Sequence, residues 1–227
     1  MTAVLQARDV ARSYGATPAL RGVSLDVAEG EILAVTGPSG CGKSTLLHCL
    51  AGILRPDAGE IRYRGDRLDA RSEADRSRLR RTEFGVLFQF GQLVAELTAV
   101  QNVALPLLLA GASRRAAHGA AEAWLERLGV ADVAGARPGE MSGGQQQRCA
   151  LARALVTEPR VVFADEPTGA LDTLAGEQVL GQLVGVARER SATVVLVTHS
   201  GRVAGYADRE VVLHDGAVDP AGLGIAR

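Results

Sequence analysis

Gly37-Pro38-Ser39-Gly40-Cys41-Gly42-Lys43-Ser44 fits the pattern GxxxxGK[ST], in which every residue type has a task in holding phosphate. The glycines let successive backbone N–H groups turn inward around phosphate oxygens, the following helix N-terminus adds partial positive charge, and the Ser44 hydroxyl suits Mg²⁺. Lys43 would reach the β- and γ-phosphates. It is also the sole lysine among 25 basic residues, all the others being arginine. Where arginine serves everywhere else, a lysine here signals that a compact ammonium is required and a planar guanidinium does not fit. The bland alternative, a glycine-rich turn, is disfavoured by the flanks: an apolar strand precedes the loop and a helical pattern follows it.

A second group of residues could act on the same phosphates. Val161-Val162-Phe163-Ala164 runs into Asp165-Glu166, and the ends of strands in an open parallel sheet are where ligands bind. Adjacent carboxylates there suit metal binding by Asp165 and polarisation of an attacking water by Glu166. His199 follows another apolar strand, Thr193 to Thr198, and could touch the γ-phosphate. Ser142-Gly143-Gly144-Gln145-Gln146 opens a further helix with a serine cap, two glycines and an unblocked N-terminus, a second anion site. One nucleotide cannot readily use two helix N-termini so far apart in one chain. The second is therefore expected to face a nucleotide on another copy.

The elements that must position these groups follow from the spacing of apolar residues. Val4 to Asp26 alternates around a Tyr14-Gly15 turn, and Ala28-Glu29-Gly30 turns into the strand Glu31 to Thr36. Lys43 to Leu54 has helical spacing, with Arg55-Pro56 as its stop. Gly59 to Leu68 reads as a short strand and turn, Asp69 to Arg81 as a charged helix, and Phe84 to Phe88 as a strand. From Phe90 to about Val156 alanine and leucine dominate and the chain is mostly helical; Ser113 caps one helix there and Gly129 closes it. Strands at 161–164, 193–197 and 210–213 then alternate with a helix at about 175–190. Such alternation implies an α/β fold with a mainly parallel sheet covered on both faces.

Composition excludes other classes. The 227 residues are 47% hydrophobic and 22% charged with a net charge of −1, which fits a globular chain and leaves no field to gather nucleic acid. The arginines at 76, 78, 80 and 81 are offset by Glu73, Asp75 and Glu83 and read as a solvated helix face. Three cysteines without a CxxC pair argue against a disulfide framework or structural zinc. No apolar run is long enough to span a bilayer and the first residues do not resemble a signal peptide, so the expected location is the cytoplasm.

Taken in order, the phosphate loop at 37–45, the glutamine Gln89 after an apolar strand, the turn at 142–146, the acidic strand at 161–166, Gly169-Ala170-Leu171-Asp172 and His199 resemble the ATP-binding-cassette (ABC) ATPases over nearly the whole chain. The wording around Gln89, Leu97 to Pro106 and Gly-Ala-Leu-Asp is similar to the lipoprotein-releasing and macrolide-exporting branch. This resemblance implies a P-loop NTPase (RecA-like) core with an N-terminal antiparallel β-subdomain and an inserted α-helical subdomain. The whole of 1–227 would be one nucleotide-binding domain, with 1–89 and 157–227 as core and 90–156 as the helical lobe. It implies ATP and Mg²⁺ as cofactors. Tyr14 would stack on adenine, residues Gly37 to Thr45 would hold phosphates, and Ser44, Gln89 and Asp165 would serve the metal. Lys43, Glu166 and His199 would be catalytic, while Ser142, Gly143, Gly144, Gln145 and Asp172 would contact nucleotide across a dimer. Gln89 would also be the hinge of the lobe.

The same resemblance implies a second copy and a separate integral membrane permease as partners, with the chain peripheral on the inner face of the membrane. Three positions depart from the family's usual pattern without removing a catalytic group: Met141 before the signature serine, Ala164 before Asp165, and Ser200 after the histidine. A regulatory ATPase signalling through a membrane partner, as in cell-division relatives, is the nearest rival. Soluble translation or DNA-maintenance members are disfavoured, because this chain has one cassette and no heptad run.

Overall fold

The computed structural model describes residues 3–89, 92–169 and 171–219, and the backbone of 224–225. Phe90, where the helical lobe was expected to begin, and Ala170 lie outside the described residues. In chain order the strands are β1 (Ala3–Tyr14), β2 (Thr17–Ala28), β3 (Ile32–Thr36), β4 (Ala58–Tyr63), β5 (Asp66–Arg67) and β6 (Phe84–Leu87). They continue as β7 (Val161–Asp165), β8 (Thr193–Val197), β9 (Arg209–His214), β10 (Ala217–Val218) and β11 (Gly224–Ile225). The helices are α1 (Lys43–Leu50), α2 (Glu73–Thr82), α3 (Ala99–Leu109), α4 (Arg114–Arg127), α5 (Gly143–Leu155), α6 (Thr173–Arg190) and α7 (Gly201–Ala204).

The chain forms two units, one of residues 1–77 with 187–227 and one of residues 78–186. The first unit contains an antiparallel sheet in the order β2-β1-β4-β5, whose β1–β2 hairpin closes at Tyr14↔Thr17. It also contains a parallel set in which β3 lies between β8 and β9, with Ala34 opposite Leu196 on one side and Glu210 on the other. All five residues of β3 and all five of β8 are buried, as expected for central strands covered on both faces. These strands are legible in the sequence as apolar runs.

Two expected elements differ from those observed. The first helix was expected to reach Leu54, but α1 ends at Leu50 because Gly52 sits at φ +65. Gly52 N–H donates to the Cys49 carbonyl and Ile53 N–H to the His48 carbonyl, the paired bonds of a Schellman stop. The charged helix expected from Asp69 begins instead at Glu73, where the Ser72 hydroxyl accepts the Asp75 N–H at 3.1 Å. Nor is its arginine cluster wholly a solvated face. Arg76 is only 6% exposed, since it stands one turn before buried Leu79, and its guanidinium pairs with Glu73.

In the second unit β6 and β7 run parallel, with Phe84 opposite Val161 and Leu87 opposite Ala164. Gly85 lets β6 approach α5: a Cβ there would meet the Ala154 carbonyl oxygen at 2.2 Å. The Phe84 and Phe163 rings pack edge to face, 5.3 Å between centroids. Thr98 and Gln101 cap α3 reciprocally, Ser113 caps α4, and Ala117, Ala121, Trp124 and Leu125 form the buried stripe of α4. Gly129, at φ +67, terminates α4 as expected.

Candidate nucleotide site

The phosphate loop joins β3 to α1 in the first unit, and its curvature depends on glycine. Gly37, Gly40 and Gly42 have φ of +138, +80 and +101, values that other residues adopt only with strain. Space is equally restrictive. A Cβ on Gly37 would meet the Leu213 carbonyl oxygen at 2.1 Å and one on Gly42 the Ala19 carbonyl oxygen at 2.2 Å. The turn after β9 braces the loop, because Gly216 N–H donates to the Cys41 carbonyl at 3.1 Å and its own carbonyl accepts from Arg21 N–H at 2.7 Å.

Lys43 is 7% exposed. Its Nζ donates to the carbonyls of Gly37 at 2.9 Å and Pro38 at 2.8 Å, which holds the ammonium inside the curve of the loop. No acidic residue stands in the first turn of α1 and no side chain caps it, so its N-terminal N–H groups and dipole favour an anion. A buried cation, a glycine-shaped cradle and an uncapped helix start together fit a polyphosphate. Cys41 is buried beside the lysine, its Sγ 3.9 Å from Nζ.

Of the other first-unit residues, Pro38, Ser39 and Ser44 are exposed and Thr45 is half-buried. Tyr14, 51% exposed at the end of β1, carries the Arg12 guanidinium 5.6 Å from its ring centroid. His199 is exposed just beyond β8.

The second unit holds the remaining residues. Asp165 ends β7 and is 9% exposed, whereas Glu166 is half-buried with φ +44, an uncommon conformation for a residue with a side chain. The Gly169 N–H donates to the Glu166 carbonyl at 3.0 Å. Gln89 comes close: a Cβ on Gly169 would lie 3.0 Å from Gln89 Nε2, so the glycine leaves room for the amide. Asp172 caps α6, with Oδ1 accepting the Ala175 N–H at 2.9 Å. The hydroxyl of Ser44 and the carboxylate of Asp165 are hard oxygen donors, a chemistry that suits Mg²⁺.

The turn at 142–146 is more occupied than the sequence suggested. Ser142 Oγ accepts the Gln145 N–H at 3.2 Å, and Gln145 Oε1 accepts the Ser142 N–H at 2.9 Å. This capping box leaves the Gly143 and Gly144 N–H groups as the open donors of α5 among the described residues. Met141, one of the three departures from the family pattern, is 7% exposed and its Sδ lies 3.8 Å from Cys149 Sγ. Burial pushes the Cys149 thiol up to about 11, and Cys49 likewise, so both stay protonated and unreactive at neutral pH.

Two buried polar side chains had no signal in the sequence. Asn102, fully buried on α3, donates Nδ2 to the carbonyls of Val94, Leu97 and Thr98 and accepts the Val94 N–H at 2.7 Å. Gln147, on α5, reaches two distant loops.

Comparison with known proteins places the chain in a family. The profile of the ABC transporter family matches residues 20–169. The chain is 42% identical over 222 residues to the lipoprotein-releasing system ATP-binding protein LolD of Geobacter metallireducens, covering 96% of this chain and 99% of that one. It is 44% identical over 219 residues to the macrolide export ATP-binding/permease protein MacB 1/2 of Paracoccus denitrificans, covering 95% of this chain but 33% of that larger protein. Among solved structures, the dimeric post-hydrolysis state of the ATP-binding cassette MJ0796 bound to ADP and Pi superposes with a TM-score of 0.92 at 34% identity, covering 98% of this chain and 99% of that one. The fold is therefore the one expected: a P-loop core with an antiparallel β-subdomain and an α-helical subdomain.

Proposed function

Because the chain belongs to the ABC transporter family, we propose that it is the ATP-binding and ATP-hydrolysing subunit of a membrane transporter, with two copies closing around two MgATP to drive a separate permease. The observation that carries this reading is the buried Lys43 ammonium within a loop in which Gly37 and Gly42 leave no room for a side chain. Lys43 holds the β- and γ-phosphates, and the N–H groups from Gly37 to Thr45 wrap them. Tyr14 stacks on the base. Glu166 accepts a proton from the attacking water, and His199 donates to the γ-phosphate.

Ser44, Asp165 and Gln89 would hold Mg²⁺, which would neutralise phosphate charge there. Ser142 and the N–H groups of Gly143 and Gly144 serve the nucleotide of the other copy, with Gln145 and Asp172 beside them. Residues 90–156 act as one lobe, and Gln89 is its hinge. A groove of about 490 Å³ on this lobe, lined by Leu97, Leu105, Leu108, Arg114, Arg115 and His118, is the seat for a cytoplasmic segment of the permease. No helix among the described residues is long and apolar enough to cross a membrane, and attachment to the inner face is through that partner. The names of the relatives favour release or export as the direction of transport.

Binding of a fluorescent ATP analogue to Lys43 variants tests this reading. Lys43→Ala removes a charge-assisted contact of about 2–3 kcal/mol, roughly 30- to 150-fold in affinity. Lys43→Arg is expected to fail nearly as badly, since the larger planar fork has no room in the loop. Unchanged affinity in both variants would overturn the assignment.

A further inference from the structure

Three segments of the second unit that carry chemistry meet on one buried side chain. Gln147 is 3% exposed, and its Nε2 donates to the Pro167 carbonyl at 2.9 Å and to the Phe88 carbonyl at 3.3 Å. Phe88 immediately precedes Gln89, and Pro167 immediately follows Glu166. Both N–H bonds of this amide are thereby spent on the backbone flanking Gln89, given above to the metal, and Glu166, given to the attacking water. Farther along α5, Arg153 Nη1 donates to the Gln92 carbonyl at 2.9 Å. The helix that begins at the signature turn therefore grips the Gln89 segment on both sides and the Glu166 segment on one.

The strain at Glu166 makes that grip consequential. A non-glycine residue at φ +44 stays there only if its surroundings hold it. Among the bonds around it are Gly169 N–H to its own carbonyl and Gln147 to the next carbonyl along. Without the amide donors, the buried Pro167 carbonyl and the part-buried Phe88 carbonyl each lose a hydrogen bond.

We propose that Gln147 is a positioning residue for hydrolysis: it ties the seating of the α5 N-terminus to the placement of Gln89 and Glu166, so that turnover responds to engagement of residues 142–146. The proposal rests on the roles given above to Glu166, Gln89 and Ser142. It concerns the rate of the chemical step and leaves nucleotide affinity alone, because the hydrogen bonds of the Gln147 side chain among the described residues go to Phe88 and Pro167.

The test compares Gln147→Met, which keeps length but deletes both donors, with Gln147→Glu and with Glu166→Gln in the full chain. Thermal melting of each variant sets an assay temperature at which all are folded. Gln147→Met should lower kcat by about tenfold or more while Kd for the ATP analogue and KM change less than about threefold. In Gln147→Glu a buried carboxyl facing two carbonyl oxygens has its pKa raised, so protonation on going from about pH 8 to about pH 5.5 restores one donor. Its kcat relative to wild type should then rise as pH falls, a sign that a lesion of stability alone does not produce.

Wild-type kcat in folded Gln147→Met, or a Gln147→Glu profile parallel to wild type, would overturn the proposal. The Glu166→Gln arm separates the two levels of the argument. If it turns over normally, the reading of the site fails; if it is inactive while Gln147→Met is not, only the positioning role fails.

Discussion

An ammonium, a carboxylate and an amide are each set here by what surrounds them. The loop keeps Lys43 nearly dry, and Glu166 sits in an unusual backbone conformation. The same logic applies away from the site, where Asp208 ties β9 to the start of β3. Its carboxyl accepts the Ile32 N–H at 2.8 Å and pairs with Arg188. The hydrogen bond from Arg188, against some burial, holds its pKa below the usual carboxylate value of 3.8. A lowered folded-state pKa means that the stabilisation is present above the unfolded value and is lost as pH falls through the folded one. Asp208→Asn should therefore lower the melting temperature at pH 6 and converge on wild type towards pH 3, measured by thermal unfolding across that range. Equal destabilisation at both ends would mean that the charge plays no part. The exposure of the pair, 48% and 40%, keeps the effect small.

At the scale of elements, apolar strands and glycine stops were legible because their signals are local. The fully buried β3, β7 and β8 show as apolar runs, and the caps at Ser113 and Ser142 stand directly before their helices. Gly52 carried the same kind of signal within an apolar run, and the helical spacing of Ile53 and Leu54 concealed it. Both residues belong to the turn, each N–H donating to the His48 carbonyl, and not to another helical turn. Gly52→Ala should destabilise the protein by about 1 kcal/mol, as the left-handed conformation becomes strained, and urea unfolding would show it as a lower midpoint at unchanged slope. An unaffected midpoint would mean that the helix end tolerates an L residue. Gln147 was not legible at all. Its partners lie 59 and 20 residues away, and neither periodicity nor composition marks a polar residue that will be satisfied by two loops brought to it only by folding. Arg76 was misplaced for a related reason: a charge pattern counts heads, while burial depends on which face of α2 packs.

For the whole molecule, the account depends on two copies. Net charge of −1 gives no long-range repulsion against self-association, and the similar cassette MJ0796 was solved as a dimer with ADP and Pi. The order of motifs along the chain made that expectation possible from sequence, because two anion-binding helix starts exceed what one nucleotide uses. What sequence did not reveal is that the second start is half closed by its own capping box, so that Gly143 and Gly144 carry the open donors. The central claim is tested most directly by Glu166→Gln, whose amide can still hold a water but cannot take its proton. Size-exclusion chromatography with light scattering should find this variant at the 23.7 kDa of one chain with ADP or without nucleotide, and at twice that mass with MgATP. A variant that binds ATP yet remains monomeric at every concentration of it would contradict the two-copy mechanism.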